Sequence, residues 1–403
     1  MNFLWGIFGM VVVLGIAFLF SNGKKSINYR TIVVGLAIQV TFAFIVLKWE
    51  AGKAGLIWLS DKVQNVIDYA GEGVAFVFGP AADVEGFGFV FAFQVLTIII
   101  FFSSLISVLY YLGIMQWVIK LLGGALSKLL GTSKAESISA AANIFVGQTE
   151  APLVIRPFLA NMTKSELFTV MTGGLASIAG SVLAGYALLG VPLEYLIAAS
   201  FMAAPAGLVM AKIFIPETEQ SKVADFEMEK DQESVNVIDA AARGAGDGLK
   251  LALNVGAMLL AFIALIAMVN GMLGGVGKWI GFESLTLEGI LGVVFSPLAF
   301  AIGVPWAEAL TAGSFIGQKL VLNEFVAYVA FAQEMASLSP KTVMVISFAL
   351  CGFANLSSLA ILLGGLGALA PSRRPDIAKL GIRAVAAGML ASLLSAAIAG
   401  MFV

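Results

Sequence analysis

Residues 131–148 read GTSKAESISAAANIFVGQ and residues 303–318 read GVPWAEALTAGSFIGQ; the two runs match with one two-residue gap. Each run precedes a polar tip that contains a glutamate, Glu150 in the first and Glu324 in the second. A short polar turn follows each tip, MTKSE from Met162 and LSPK from Leu338, and then a stretch rich in Gly, Ala and Ser. The repeated order implies two homologous halves. Both regions are apolar enough to enter a membrane, yet each is interrupted by its polar cluster. Segments 134–160 and 305–338 are therefore expected as re-entrant hairpins, since backbone broken at membrane depth is tolerated only where protein or a cavity satisfies it.

Outward from the hairpins, apolar stretches at 3–20, 31–48, 88–115, 165–190, 193–214, 249–276, 342–369 and 383–402 are each long enough to cross about 30 Å of hydrocarbon, about eight spans in all. The expected fold is an all-α polytopic membrane protein, with these transmembrane helices and the two hairpins arranged in inverted repeats. The whole chain, 1–403, reads as a single membrane domain, with a first repeat at 88–214, a cytoplasmic linker at 215–247 and a second repeat at 248–403. An odd number of crossings separates the hairpins, so one enters from each side, the arrangement that places binding sites at broken helices near the midplane. The first span lacks a basic leading segment and is followed by Lys24 and Lys25 rather than by small residues, which predicts an uncleaved anchor.

Composition agrees with a membrane solvent: 60% of residues are hydrophobic and 12% charged. The 23 basic and 25 acidic side chains nearly cancel, so no basic excess points to nucleic acid. The chain has no histidine and one cysteine, Cys351. Histidine acid–base chemistry, the usual zinc and haem sites and any intramolecular disulfide are thereby removed. No aspartate pair lies in a span and no HExxH motif occurs, so an intramembrane enzyme lacks its tools, and the chain is expected not to be one. Two offset hairpins bearing opposed glutamates fit an occluding site better than an open channel. Cys351 reads as packing beside a broken helix rather than as a reactive thiol.

Positive loops are retained in the cytoplasm. With the N-terminus outside, the segments holding Lys24, Lys25 and Arg30, Lys120, Lys128 and Lys134, Arg156 and Lys164, the 212–250 loop, and Arg373, Arg374, Lys379 and Arg383 are all cytoplasmic. Lys48, Lys53, Lys62, Lys278, Lys319 and Lys341 then lie outside. The implied location is a bacterial inner membrane, with the lipid bilayer as the constant partner. Every aspartate falls outside the expected spans, which makes the polar residues inside them informative: Gly147-Gln148-Thr149-Glu150 with Pro152, Asn323-Glu324-Phe325, and Phe353-Ala354-Asn355-Leu356-Ser357-Ser358. Ionisable groups at membrane depth are expensive and mark solute pathways. A carboxylate can accept two hydrogen bonds from vicinal hydroxyls, and Gln and Thr supply mixed donor and acceptor edges.

The segments GQTEAP at 147–152, NEFVAY at 323–328 and CGFANLSS at 351–358 resemble the signatures of the concentrative nucleoside transporters, with the repeat arrangement covering 88–403. The resemblance implies a homotrimer whose protomers carry a mobile transport domain past a fixed scaffold, elevator-fashion, importing nucleosides by sodium symport. By position it implies that Gln148, Thr149 and Glu150 meet the base, that Glu324, Asn355 and Ser358 meet the ribose, and that Val182 and Phe353 give apolar contact. It also implies a sodium site formed by the Asn143 and Ser177 side chains with the Val146 and Ile178 carbonyls. Proton-coupled members often carry Ser where Asn143 stands. The alternative is a proton-coupled symporter of nucleosides or a related polyhydroxylated heterocyclic solute, acting through Glu150 or Glu324. In a Cys351→Ala background, cysteine introduced near Asn22 should be labelled only from the cytoplasm and cysteine near Ile280 only from the opposite side; reversed labelling overturns the orientation.

Overall fold

The structure, a computed structural model, describes residues 2–221, 234–281 and 285–403. Helices α1 (Asn2–Leu19), α2 (Tyr29–Ala43, prolonged by a wide turn to Lys48) and α3 (Glu50–Phe78) lead, past short α4 (Val84–Phe87) and α5 (Phe91–Gln94), into α6 (Leu96–Tyr111) and α7 (Ile114–Leu130). The first matched run forms α8 (Lys134–Ala142), and the chain returns as a tight 3-10 segment, Ala151–Asn161. Next come α9 (Lys164–Ala176) and α10 (Gly180–Leu188), one crossing interrupted at 177–179, and then α11 (Leu193–Phe214). The same succession recurs: α12 (Val237–Ile280), α13 (Leu287–Ala301), a hairpin of α14 (Trp306–Val321) and α15 (Glu324–Glu334), an interrupted pair α16 (Pro340–Leu350) and α17 (Ser358–Leu369), and α18 (Arg374–Ala399). All regular structure among the described residues is helical, and seven helices there are long and apolar enough to cross a membrane. The fold is that of an all-α polytopic membrane protein.

Local chemistry sets the helix ends. The glycines that open the two matched runs both take left-handed backbone, Gly131 at φ 71° and Gly303 at φ 115°, which a side chain would strain. Gly131 closes α7, and Gly303 lies in the 116° bend between α13 and α14. Ser133 with Glu136, and Thr163 with Glu166, form reciprocal capping boxes on α8 and α9, satisfying amides that a helix start leaves free. In the second series Ser339 caps α16, and its own amide and hydroxyl donate to the Glu308 carboxylate at 3.1 and 2.9 Å.

Packing divides the molecule into an interior and a periphery. The spanning windows in α9–α10, α11 and α18 are 94%, 94% and 89% buried, against 17% for α12, 22% for α1 and 28% for the α5–α6 stretch. The poorly buried helices present apolar side chains outward, as lipid-facing helices do. Interior helices approach through small residues, because association in lipid depends on close packing. A Cβ on Gly207 of α11 would lie 3.3 Å from Gly173 of α9, and one on Gly388 of α18 would lie 2.7 Å from the Leu175 Cβ.

Several expectations are corrected. Within the linker expected at 215–247, residues from Val237 onward form the first turns of α12, which runs for 44 residues, and residues 222–233 lie outside the described ones. The stretches 165–190 and 342–369 are each two helices separated by a break. Apolar α13 was not among the expected spans; with α14, across the 116° bend, it forms a broken apolar pair long enough to cross. Two lysines are buried: Lys212, expected in the 212–250 loop, at 5% exposure, and Lys319, expected on the outer side, at 0%. Lys212 sits in the last turn of α11, 2.7 Å from Glu136 and 2.9 Å from the Ser165 hydroxyl, fastening the first hairpin to the interior. Lys212→Met should destabilise the protein by about 3–5 kcal/mol, the cost of leaving a buried carboxylate uncompensated, and adding Glu136→Gln should recover much of the loss. Thermal unfolding in detergent checks this; a Lys212→Met protein that melts with the unmutated one contradicts it.

Candidate functional site

Four interruptions meet in one place: residues 143–150 after α8, 177–179 between α9 and α10, 322–323 between α14 and α15, and 351–357 between α16 and α17. Each has a local cause. Gly147 and Pro152 bracket the first. Asn323, extended at φ −164°, ψ 170°, ends the hairpin turn and caps α15 by accepting from the Val326 amide at 2.9 Å. The freed backbone groups pair across the breaks, as they must at membrane depth. The Gly180 amide donates to the Phe145 carbonyl at 2.9 Å, Phe353 to Ser177 at 3.1 Å and Leu356 to Leu320 at 3.1 Å.

The breaks enclose a cavity. Its polar wall carries Gln148, Thr149 and Glu150 from the first tip, Asn323 and Glu324 from the second, and Asn355, Ser357 and Ser358 from the last break. Its apolar wall carries Val182, Phe325, Phe353 and Ile361 with Leu251, Val255, Met258 and Leu259 of α12. The eight residues that the family resemblance assigns to a substrate thus line a single cavity. The four α12 residues were not anticipated, because apolar side chains in an apolar span carry no local signal.

Glu324 is the best-held group. It is 5% exposed. One carboxylate oxygen accepts from the Asn355 amide at 2.9 Å and the other from the Tyr186 hydroxyl at 3.3 Å. Asn355 is itself fixed, its oxygen accepting from the Ser358 amide at 2.8 Å and the Ser357 hydroxyl at 2.7 Å. Glu324 opens α15 and Ser358 opens α17, so two helix amino ends, which favour negative charge, lie at the carboxylate and its partner. Tyr186 is stacked on Tyr328 with ring centroids 4.3 Å apart, and Tyr328 donates to the Ser347 carbonyl at 2.8 Å. Tyr186 also escaped the sequence reading, although a phenol inside an apolar span is a signal that could have raised it. Across the cavity, Gln148 donates to the Ser358 hydroxyl at 3.4 Å while its carbonyl oxygen has no partner. Glu150 is exposed, in contrast to Glu324.

Beside the cavity lie the four residues that the resemblance assigns to an ion. Asn143 is 1% exposed and donates to the Ser139 carbonyl at 2.9 Å, leaving its Oδ1 buried without a partner. Ser177 donates to the Gly173 carbonyl at 3.0 Å, and neither the Val146 nor the Ile178 carbonyl accepts a bond among the described residues. Segment 145–147 runs alongside 178–180: a Cβ on Gly147 would lie 3.5 Å from that of Ala179. The donor set is uncharged oxygen from unwound backbone, an amide and a hydroxyl, which suits a hard monovalent cation.

Comparison with known proteins agrees. Residues 8–81 and 195–400 match the families described as Na+ dependent nucleoside transporter N-terminus and C-terminus, and residues 92–193 match that described as nucleoside recognition. The chain is 64% identical to an uncharacterized transporter, YutK, of Bacillus subtilis, over 100% of both chains. It is 53% identical to the nucleoside permease NupC of Helicobacter pylori, over 99% of this chain and 98% of that one. The solved structure of CNTnw in an inward-facing substrate-bound state is similar with a TM-score of 0.95, at 57% identity over 100% of this chain and 98% of that one. Family matches along most of the length, together with relatives more than half identical end to end, show that this chain belongs to the Na+-dependent nucleoside transporters, a family of multi-pass membrane permeases and not of enzymes.

Proposed function

We propose that the chain imports nucleosides by sodium symport, with the ribose held by Glu324, Asn355 and Ser358, the base met by Gln148, Thr149 and Glu150, and apolar contact from Val182 and Phe353. The observation that carries this reading is the buried Glu324 carboxylate, fixed by Tyr186 and Asn355 and turned to a cavity whose opposite wall bears an unpartnered Gln148 oxygen. Vicinal hydroxyls are what such a carboxylate best accepts from, and an amide with a free acceptor suits the mixed edge of a base.

Sodium binds at Asn143, Val146, Ser177 and Ile178 in this reading. The ion would order the same turn from which Gln148 projects, and Ser177 also holds the Phe353 amide. Ion and nucleoside therefore share broken turns, which is a physical route for the reciprocal coupling that symport requires. One sodium entering gains about 2.3 kcal/mol per 100 mV, and a tenfold gradient adds roughly 1.4 kcal/mol. Together they support accumulation on the order of several hundred-fold.

The division of the cavity supports elevator motion. Its polar groups all stand on the hairpins and interrupted crossings, while the long α12 contributes only apolar side chains against which that body can slide. In the full proposal the halves 88–214 and 248–403 are inverted repeats, the N-terminus faces outward across a bacterial inner membrane, and three copies assemble.

Asn143→Ala should weaken the sodium dependence of nucleoside binding; uptake into proteoliposomes that ignores sodium and follows a proton gradient would sink the ion assignment. For the sugar, a nucleoside lacking a contacted hydroxyl leaves a buried charged acceptor unpaired, a penalty of roughly 1.5–3 kcal/mol. Deoxy analogues should thus bind about ten- to a hundredfold more weakly. Calorimetric titration should show Glu324→Gln shrinking that discrimination and Gln148→Ala changing base preference without touching it. Equal binding of free bases and nucleosides contradicts the ribose assignment.

A further inference from the structure

Lys319 is a buried charge that this transport reading leaves without a task. It stands near the end of α14, is 0% exposed, and its Nζ donates to the Ala349 carbonyl at 2.7 Å. It forms no ion pair among the described residues, and Glu324 follows five residues on, across the turn at Leu322 and Asn323. An enclosed ammonium without a paired carboxylate needs a compensating environment. Ala349 supplies part of it: it lies in the last turn of α16, whose terminal carbonyls have lost their helical partners to the break and carry the negative end of the helix dipole.

The first half ends its broken crossing in the same way with different chemistry. There α9 stops at Ser177, and the facing hairpin presents Asn143, an uncharged side chain with an unpartnered Oδ1. The hydroxyls of Ser139 and Thr172 are likewise buried and unpartnered. Between residues 302 and 376 no buried side-chain oxygen or nitrogen lacks a partner among the described residues. The matched runs part at this point. Their two-residue gap falls just ahead of IFVGQ and SFIGQ, where Asn143 stands, and α14 stays helical to Val321, so that Lys319 reaches α16 from an intact helix.

We infer that the Lys319 ammonium is a tethered cation that does in the second half what the proposed sodium ion does in the first. It neutralises the carboxyl end of the broken crossing and supports the negative charge of Glu324, so the second half takes up no mobile ion. Lys319 is in this sense a positioning residue for the nucleoside site, and the inference rests on the sodium reading given above.

The test is calorimetric titration of the purified protein with adenosine or uridine, at a series of sub-saturating sodium concentrations and of pH values, for the unmutated chain, Lys319→Gln and Lys319→Arg. Lys319→Gln should take up one more monovalent cation per nucleoside than the unmutated chain. Where a tenfold fall in sodium weakens the unmutated protein about tenfold, it should weaken Lys319→Gln about a hundredfold. If a proton fills the place instead, the affinity of Lys319→Gln should fall about tenfold per unit rise in pH while the unmutated protein stays flat. Lys319→Arg should keep the unmutated dependence. Weaker binding by Lys319→Gln with an unchanged sodium slope and no new pH dependence overturns the inference and leaves Lys319 a structural tie. An unmutated chain with no sodium slope refutes the sodium reading alone, because Lys319 is judged by the difference between variant and unmutated protein. Should the variants fail to fold, charge movement per nucleoside in proteoliposomes of the unmutated chain decides: one elementary charge agrees, and two overturn the tethered cation.

Discussion

A helix interrupted at membrane depth releases amides and carbonyls that no water is at hand to satisfy, and this chain interrupts four helical paths at one spot. The rest of the architecture follows from how those groups are paired. Backbone bonds from Gly180 to Phe145, from Phe353 to Ser177 and from Leu356 to Leu320 tie each break to another, so no break is stable alone. Polar side chains complete the set: Asn355 closes the turn before α17, Asn323 caps α15, and Glu324 gathers what Tyr186 and Asn355 donate. A cavity of mixed polarity at the crossing point is a by-product of that mutual satisfaction, and it is also what a nucleoside requires.

The two hairpin tips solve the same problem unequally. The second is a two-residue turn between intact helices, and its carboxylate is buried and held from two sides. The first unwinds over residues 143–150 and returns as a 3-10 segment containing Pro157. Its Glu150 is exposed and folded over Gly147, where even a methyl group would meet the carboxylate oxygen at 2.5 Å. Most of the unpartnered oxygens near the cavity belong to the looser tip and its neighbouring helix. A rigid tip and an incomplete one thus face the same cavity.

The interior holds these tips by close approach of small residues and by the buried Lys212–Glu136 pair, while α12 stands outside with 17% of its spanning window buried. The contact between α12 and α6 is intimate where Gly244 and Gly248 meet Ser103, Ser104 and Ser107. Along the cavity, by contrast, α12 offers only Leu251, Val255, Met258 and Leu259. The helix is thus bound firmly to one neighbour and smoothly apolar toward the cavity.

The sequence by itself determined the all-helical membrane class, the two hairpins and the polar residues that line the cavity. Those features are written in one dimension: long apolar runs, a repeated run of matched residues, and carboxylates and amides where hydrocarbon forbids them without cause. Gln148, Glu150, Glu324, Asn355 and Ser358 were legible because each is conspicuous against an apolar background. Only the tertiary structure decided that Val182 and the α12 side chains face the same cavity as these residues, since an apolar residue in an apolar span looks alike whichever way it points. It also decided that Tyr186 orients Glu324 across 138 positions of chain, and that Lys212 and Lys319 are interior charges. Averaged hydropathy sees a lysine at the end of a span and assigns it to water; whether a carboxylate or a helix's last carbonyls wait there for it depends on packing that no local pattern records.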